Sequence, residues 1–262
     1  MSKEIVISNA WKEHLVGNLH TTDTKDLVIV CHGLGWHKDN ELIIAICKSF
    51  QEKGLNSFRF NFSGTEPSEG KTEDSYYTKQ ASDLCSVIDY FSIQGYQIKS
   101  ILGHSIGATA TIIQAAKDRR IASIILIAPR IKPSNSIIVK AIIESGKTLS
   151  EAIESTDTIY SVEIKAKKGK GRRTYRFSKE YLEEMRDIDI VGYLNQIKIP
   201  TLILRGTEDD VVPEEEVEEA CKANMRVKHI AINGAGHTFK KSEDKDKLIS
   251  EILQWYKSIN EK

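Results

Sequence analysis

The sequence predicts an α/β fold in which a mostly parallel sheet of eight strands carries helices on both faces. Short runs rich in Val and Ile alternate with longer segments whose apolar residues repeat at helical spacing, the pattern of strand and helix units. Residues 27–31 and 124–127 are continuously apolar, as expected of central parallel strands buried on both faces. A chain of 262 residues is long enough to form one such domain.

Eight segments have the composition of strands, and five have the periodicity of helices. The first two strands follow each other without a helix between them, so we expect them to form an antiparallel hairpin. The helices carry apolar residues three and four positions apart, as Leu42, Ile43 and Ile46 do in the first of them. The predicted strands are residues 4–7, 14–19, 27–31, 57–62, 99–103, 122–127, 201–205 and 228–232, and the predicted helices are 40–53, 78–94, 106–117, 214–223 and 243–259.

One interval between strands is too long for a single connection. About 70 residues separate the strand at 122–127 from the strand at 201–205, where a crossover helix and its loops need about 25. We therefore expect a cap inserted after the sixth strand, at residues 133–187. The remaining segments, 1–132 and 188–262, then form the core of the fold.

A basic β-hairpin is predicted inside the cap. Residues 160–164 and 174–177 have strand composition, and they flank a glycine-punctuated turn at 167–171. Seven of the twelve residues 165–176 are basic and none is acidic. This run is either a solvated hairpin tip without a function, or a positive rim that favours anionic acyl substrates or an acidic partner.

The charge balance and the cysteine positions exclude several classes of function. The chain has 37 basic and 37 acidic residues, so no overall field attracts nucleic acid or an anionic membrane, and we expect neither as a partner. The four cysteines, Cys31, Cys47, Cys85 and Cys221, are widely separated. Their spacing argues against a zinc site and fits a reducing compartment.

No segment has the features of a signal peptide or a membrane helix. The first residues carry charges and lack the apolar stretch of a secretory signal, so we expect a cytoplasmic protein. The longest uncharged run, residues 100–116, contains glycine, histidine and hydroxyl side chains and is shorter than the ~20 apolar residues that cross a bilayer. We expect no membrane insertion, and the sequence leaves the oligomeric state open.

The motif Gly103-His-Ser-Ile-Gly107 lies between a predicted strand and a predicted helix. A serine on so sharp a turn adopts strained backbone angles, and side chains two residues before and after it would collide, which explains the two glycines. A serine exposed in this way can act as a nucleophile when a base takes its proton. Ser105 is therefore the candidate nucleophile.

The sequence also contains a candidate base and a candidate acid, and their order relative to Ser105 is informative. His237 follows the last predicted strand, and Asp209 and Asp210 follow the preceding strand. A histidine accepts the serine proton, and a carboxylate fixes its tautomer and orientation. The order serine, acid, histidine is that of α/β-hydrolases and differs from the orders of chymotrypsin-like and subtilisin-like enzymes.

These motifs together resemble the α/β-hydrolase superfamily. The resemblance is carried by His32-Gly33 after the third strand, by the motif at 103–107, by residues 199–206 leading to Asp209, and by Gly236-His237. Within the superfamily, the chain is most similar to the capped esterases of the cinnamoyl (feruloyl) esterase and acylglycerol lipase branch. It departs from that branch after the fourth strand, where Glu66 replaces a glycine of the usual turn.

The resemblance implies roles for further residues. The family places its acid three residues beyond a glycine, which selects Asp209 after Gly206 over Asp210. The backbone N–H groups of Leu34 and Ile106 are implied to form the oxyanion hole. His32 is expected to brace the loop that carries Leu34, and no metal or cofactor is implied.

Several aromatic residues are candidates for the substrate pocket. Trp36 and His37 follow the oxyanion loop, and three aromatic residues belong to the cap. The cap residues could equally form a small core of the cap itself, and His37 could be solvated. His104 lies beside Ser105 but points away from the hydroxyl on turn geometry, so it is not the expected base. The predicted pocket residues are Trp36, His37, Tyr160, Tyr175 and Phe177.

The sequence therefore predicts a serine hydrolase that cleaves carboxylic esters through an acyl-enzyme on Ser105, with a small-molecule ester as its substrate. A thioesterase or a peptidase would use the same residues, because fold and triad determine the acyl transfer and not the leaving group. A ligand receptor that keeps the fold but turns over negligibly is a further alternative. A dehalogenase on this fold uses an aspartate nucleophile, so Ser105 argues against that reaction.

Overall fold

Ten strands and nine helices are present in the computed structural model, which describes residues 2–156, 158–165 and 172–260. The strands are β1 (Ser2–Ser8), β2 (His14–His20), β3 (Asp26–Cys31), β4 (Asn56–Phe60), β5 (Gln97–His104), β6 (Ile124–Ile127), β7 (Ile159–Lys165), β8 (Arg172–Ser178), β9 (Thr201–Gly206) and β10 (Val227–Ile232). The helices are α1 (Glu41–Glu52), α2 (Tyr77–Ile93), α3 (Ile106–Ala115), α4 (Ile137–Glu144), α5 (Leu149–Glu154), α6 (Lys179–Asp187), α7 (Ile190–Gln196), α8 (Glu214–Ala223) and α9 (Ser242–Asn260).

Eight of the strands form one sheet in the order β1-β2-β4-β3-β5-β6-β9-β10. β2 is antiparallel to both β1 and β4, and the other neighbours are parallel. The prediction of a mostly parallel eight-stranded sheet is confirmed, as is the hairpin at the start of the chain. The fourth strand ends at Phe60 and not at Phe62, because the chain there leaves the sheet for the loop that follows.

Helices pack on both faces of the sheet, as predicted. Along β3 the side chains alternate between the two faces, with Leu27 and Ile29 on one face and Val28 and Val30 on the other. All four are fully buried, which accounts for the continuous apolar run in this strand. Buried residues of α2, α3 and α8 cover the first face, and those of α1 and α9 cover the second.

The segment between β6 and α7 contains α4, α5, α6 and a two-stranded sheet. β7 and β8 pair in antiparallel register from Ile159 opposite Ser178, so the predicted hairpin strands are present. The predicted turn at 167–171 lies outside the described residues, and so does part of the basic run. Buried side chains of this segment, among them Phe177 and Tyr181, belong to the same apolar core as Tyr77 of α2.

The junction between β5 and α3 is packed at backbone distance. A Cβ atom on Gly103 would overlap the Gly107 carbonyl oxygen and the backbone of Ala108. A Cβ atom on Gly107 would overlap the carbonyl oxygen of His32 in the same way. Between them Ser105 has φ 54° and ψ −120°, a conformation that costs a non-glycine residue about 1–3 kcal/mol. The two glycines therefore allow the close packing that holds Ser105 in its strained turn.

We expect Gly103→Ala to destabilise the protein by about 1–3 kcal/mol, because the atoms that the new methyl group would meet are backbone atoms that cannot move aside. Urea unfolding followed by circular dichroism measures the change. Gly236→Ala is the matched control, since the nearest atom to its added Cβ lies at 3.7 Å. Its free energy of unfolding should stay within about 0.5 kcal/mol of the parent. Equal stability of the two variants would contradict the packing argument.

Candidate active site

The predicted site residues lie at one edge of the sheet. Ser105 follows β5, Asp209 lies three residues after β9, His237 follows β10 and Leu34 lies in the loop after β3. These strands run parallel, so their carboxyl ends meet at the same edge, where α/β folds usually bind ligands. Residues up to 203 positions apart in the sequence are brought together in this way.

A chain of two hydrogen bonds connects Ser105, His237 and Asp209. The Nδ1 atom of His237 lies 2.8 Å from Asp209 Oδ2, and its Nε2 atom lies 3.2 Å from Ser105 Oγ. An ionised carboxylate only accepts hydrogen bonds, so Nδ1 carries the proton and donates it. The Nε2 atom is then free to accept the hydroxyl hydrogen of Ser105. This arrangement can move the serine proton onto the imidazole.

The turn after β9 orients Asp209. Its Oδ1 atom accepts the N–H groups of Val211 and Val212 at 2.8 and 2.9 Å, which leaves Oδ2 for His237. Arg205 fixes the same turn by donating to the carbonyl groups of Val212 and Asp209. Burial acts to raise the pKa of Asp209, but the hydrogen bond and charge of His237 and the two N–H groups outweigh it and lower that pKa. Asp210, in contrast, is exposed.

The predicted oxyanion hole consists of two backbone N–H groups near Ser105. Within the described part of the chain, neither the Leu34 N–H nor the Ile106 N–H has a hydrogen-bond acceptor. Ile106 is the first residue of α3, where a free N–H and the helix dipole favour negative charge. Leu34 and Ile106 are therefore the predicted pair of donors, and both also line the cavity above Ser105.

His32 holds the loop that carries Leu34. Its Nδ1 atom donates to the carbonyl oxygen of Gly33 at 2.9 Å, and its Nε2 atom accepts the N–H of Phe62 at 3.2 Å. Both ring nitrogens are thus engaged with the backbone, as expected of a bracing residue. Burial lowers the pKa of His32 to about 4, so the ring stays neutral and keeps this tautomer at physiological pH.

A cavity of about 190 Å³ opens beside Ser105. Its walls combine residues of the oxyanion loop, the amino-terminal ends of helices and the segment between β6 and α7. Of the predicted pocket residues, Trp36 and Tyr175 line it. The described residues that form its walls are Leu34, Trp36, Tyr77, His104, Ser105, Ile106, Arg130, Ser136, Ile137, Ile138, Tyr175, Tyr181, Val211, His237 and Thr238.

Three predicted pocket residues lie elsewhere, which corrects the prediction. His37 is exposed, and its Nδ1 atom accepts the N–H of Asp39, so the loop turns it toward solvent. Tyr160 is half-buried on β7 with the Lys147 ammonium 5.8 Å from its ring centre. Phe177 is buried in the apolar core, where its ring lies 4.9 Å from that of Tyr181. Phe177 thus packs in a core, the alternative that the sequence left open.

Sequence reasoning missed Arg130, the one arginine or lysine among the described lining residues. Its Nη1 atom donates to Glu216 at 2.5 Å, and its Nη2 atom donates to the carbonyl oxygen of Val211. Glu216 also accepts the N–H groups of Ile131 and Lys132, so the buried ion pair is well hydrogen-bonded. The sequence did contain a signal for Arg130 as a lining residue. Arg130 follows β6, so it lies at the same edge of the sheet as Ser105.

The described residues lack both a metal-binding cluster and a membrane-spanning helix. Residues 2–156, 158–165 and 172–260 contain no group of three or more His, Cys, Asp or Glu side chains arranged to hold a metal ion. Over the same residues, no helix combines the length and the apolar composition that crossing a bilayer requires. All four cysteines are present as free thiols.

A family model described as "Serine aminopeptidase, S33" matches residues 22–243. The match spans most of the polypeptide and includes Ser105, Asp209 and His237. The chain belongs to this hydrolase family. The predicted membership of the α/β-hydrolase superfamily is thereby confirmed.

Known proteins similar to this family member include esterases. A protein named "Putative esterase/lipase 2" from Mycoplasma pneumoniae is 27% identical over 224 residues, which cover 80% of this chain and 81% of the relative. The structure of ferulic acid bound to Est1E from Butyrivibrio proteoclasticus matches with a TM-score of 0.77 at 22% identity, over 97% of this chain and 99% of that one. The α/β hydrolase GrgF from Penicillium sp. sh18 matches with a TM-score of 0.78 at 18% identity, over 98% of both chains.

Proposed function

We propose that this family member is a serine hydrolase that cleaves carboxylic esters of small acyl groups through an acyl-enzyme on Ser105. The observation that carries the proposal is the series of hydrogen bonds from Asp209 through His237 to Ser105 at the wall of a cavity. The name of the Mycoplasma pneumoniae relative supports an ester substrate. The substrate partner is then a small-molecule ester.

In the first half of the reaction, Ser105 Oγ attacks the acyl carbon while His237 Nε2 takes its proton. The carbonyl oxygen becomes an oxyanion, which the N–H groups of Leu34 and Ile106 stabilise. Asp209 stabilises the imidazolium that forms. The tetrahedral intermediate then collapses: the bond to the leaving oxygen breaks, and His237 returns its proton to the departing alcohol.

In the second half, a water molecule replaces the alcohol. His237 takes a proton from the water, and the resulting hydroxide attacks the acyl carbon of the Ser105 ester. The same two N–H groups hold the second oxyanion. When this intermediate collapses, Ser105 regains its proton from His237 and the carboxylic acid leaves. Every step uses groups of this chain and water, so the reaction needs no cofactor.

The cavity favours an ester over an aminopeptidase substrate, although the family description names an aminopeptidase. An aminopeptidase must bind the α-ammonium group of its substrate, and a carboxylate is the usual partner of an ammonium group. The described residues lining the cavity include no Asp or Glu side chain, and the lining residue Arg130 has its charge paired with Glu216. A neutral ester fits these walls better than an ammonium group does.

We also propose that residues 133–187 act as a cap that sets the size of the acyl group. Ser136, Ile137, Ile138, Tyr175 and Tyr181 of this segment contribute walls to the cavity. A protein cavity of about 150 Å³ holds one benzene molecule, so the 190 Å³ here suits an acyl group of about six to eight non-hydrogen atoms. A feruloyl group is roughly twice the size of benzene and would extend out of the cavity.

Removal of the nucleophile tests the mechanism. We expect Ser105→Ala to lower turnover of p-nitrophenyl butyrate by several orders of magnitude and to leave the thermal transition nearly unchanged. The double variant with His237→Ala should be little slower than either single variant, because the pair acts as a unit. A fluorophosphonate probe should label the parent and not Ser105→Ala. Labelling of the parent without turnover of any ester, thioester or amide would instead indicate a ligand receptor.

Two adjacent aspartates provide a matched test of the acid. We expect Asp209→Asn to lower kcat by about 10⁴, because an asparagine leaves the imidazole of His237 without its orienting carboxylate. Asp210→Asn should keep most of the activity, since that side chain is exposed and Asp209 Oδ2 already bonds to His237. Steady-state kinetics on the same ester compares the two. The opposite ranking would show that Asp209 is not the acid.

Acyl length tests the proposed cap. Across p-nitrophenyl esters from acetate to laurate, and a feruloyl ester, kcat/KM should be highest for acyl groups of about five to seven carbons. Tyr175→Ala should shift the optimum toward longer acyl groups, because Tyr175 is a half-buried wall of the cavity. Tyr160→Ala is the matched control on the paired strand, outside the cavity wall. An equal shift in both variants would contradict the assignment of Tyr175.

A further inference from the structure

The imidazole of His104 connects the nucleophile to the loop that carries the base. His104 immediately precedes Ser105, and only 1% of its surface is exposed. Its Nε2 atom lies 2.9 Å from the backbone carbonyl oxygen of His237, so a hydrogen bond joins the end of β5 to the loop after β10. The two imidazole rings lie 5.0 Å apart with an angle of 51° between their planes.

The same ring also contacts the loop that carries the predicted oxyanion donor. His104 stacks on Trp36, two residues after Leu34, with 4.1 Å between ring centres and 4° between ring planes. A Cβ atom on Gly33 would lie 2.7 Å from His104 Nδ1, so the absence of a side chain there leaves room for the imidazole. One ring therefore touches the elements that carry the nucleophile, the base and an oxyanion donor.

A contribution to the stability of the fold does not by itself explain why His104 is buried with only one of its ring nitrogens hydrogen-bonded. A carbonyl oxygen only accepts, so Nε2 carries the proton, and Nδ1 is left buried without a partner among the described residues. An unpaired buried acceptor costs at least as much as one neutral hydrogen bond contributes. Burial and, to a smaller extent, the nearby charge of His237 lower the pKa of His104 to about 3, although the hydrogen bond to the His237 carbonyl oxygen and the charge of Asp209 act to raise it. The ring is thus a neutral donor aimed at one carbonyl group.

We propose that His104 is a positioning residue that holds the loop of His237 and the loop of Leu34 in place around Ser105. This proposal rests on the proposed function, since it concerns the alignment of the same site. The hydrogen bond fixes the backbone of His237 and with it the direction of Nε2 toward Ser105. The stack on Trp36 fixes the oxyanion loop relative to the same ring.

Substitutions at His104 separate the hydrogen bond from the shape of the ring. His104→Phe keeps a flat ring for the stack on Trp36 but loses the donor. His104→Gln has an amide that can donate to the carbonyl oxygen of His237. His229→Gln is the matched control, because His229 on β10 also has a ring nitrogen that is buried without a partner within the described residues, and it lies outside the site.

We expect His104→Phe to lower kcat for p-nitrophenyl butyrate by about 10–100-fold with a change in KM below about threefold, because a small misplacement of a catalytic group costs about this much. The rate of fluorophosphonate labelling should fall in parallel. His104→Gln should recover most of the loss, and His229→Gln should match the parent. In proton NMR, the signal of the His237 Nδ1–H that bonds to Asp209 should shift or broaden in His104→Phe alone.

The outcomes separate this proposal from the proposed function. If the parent hydrolyses esters but His104→Phe keeps kcat within about twofold and an unchanged NMR signal, the positioning role is wrong and the proposed function stands. If His104→Gln is as slow as His104→Phe and both are equally destabilised, the histidine has only a structural role. A parent that is neither labelled nor active overturns both, since no reactive serine is then present to be aligned.

Discussion

The turn that carries Ser105 is the constraint on which the site depends. Its backbone stays at φ 54° because β5, α3 and the end of β3 pack at backbone distance around it, with glycines at 103 and 107. A looser junction would let the turn relax toward commoner angles and draw the hydroxyl away from the imidazole. The strain is thus maintained by the packing of a sheet against a helix, most of whose residues have no direct part in the proposed chemistry.

The charge of Asp209, the proposed acid, is balanced by hydrogen-bond donors within the fold. Asp209 is buried, yet His237 and two backbone N–H groups satisfy its oxygens, so the charge is not left unpaired. Arg205 and Arg130 donate to carbonyl groups of the same turn. The turn after β9 is therefore fixed from two sides, and the hydrogen bond to the rigidly held Asp209 orients the imidazole of His237.

Local patterns in the sequence were enough to predict the sheet. They were also enough to predict the hydrogen-bonded residues Ser105, Asp209 and His237. Apolar runs mark the strands, and the strain of the Ser105 turn demands glycines that are visible in the sequence. The residues of the cavity walls depend on how helices and strands pack against one another around the cavity. No local sequence pattern encodes this packing. Tyr175 and Phe177 are two residues apart on β8 and share a face, yet only Tyr175 reaches the cavity while Phe177 packs against Tyr181.

The apolar core shared by residues 133–187 and the sheet has a thermodynamic consequence for substrate access. Phe177, Tyr181 and Tyr77 pack together, and Glu184 of α6 accepts hydrogen bonds from Thr78 at the start of α2. Lifting the segment as a rigid body would expose several buried side chains to water at about 1.5–3 kcal/mol each. An ester would therefore reach Ser105 at lower free-energy cost through the open side of the cavity, whose wall residues Leu34 and Ile137 are partly exposed, than by displacement of the whole segment.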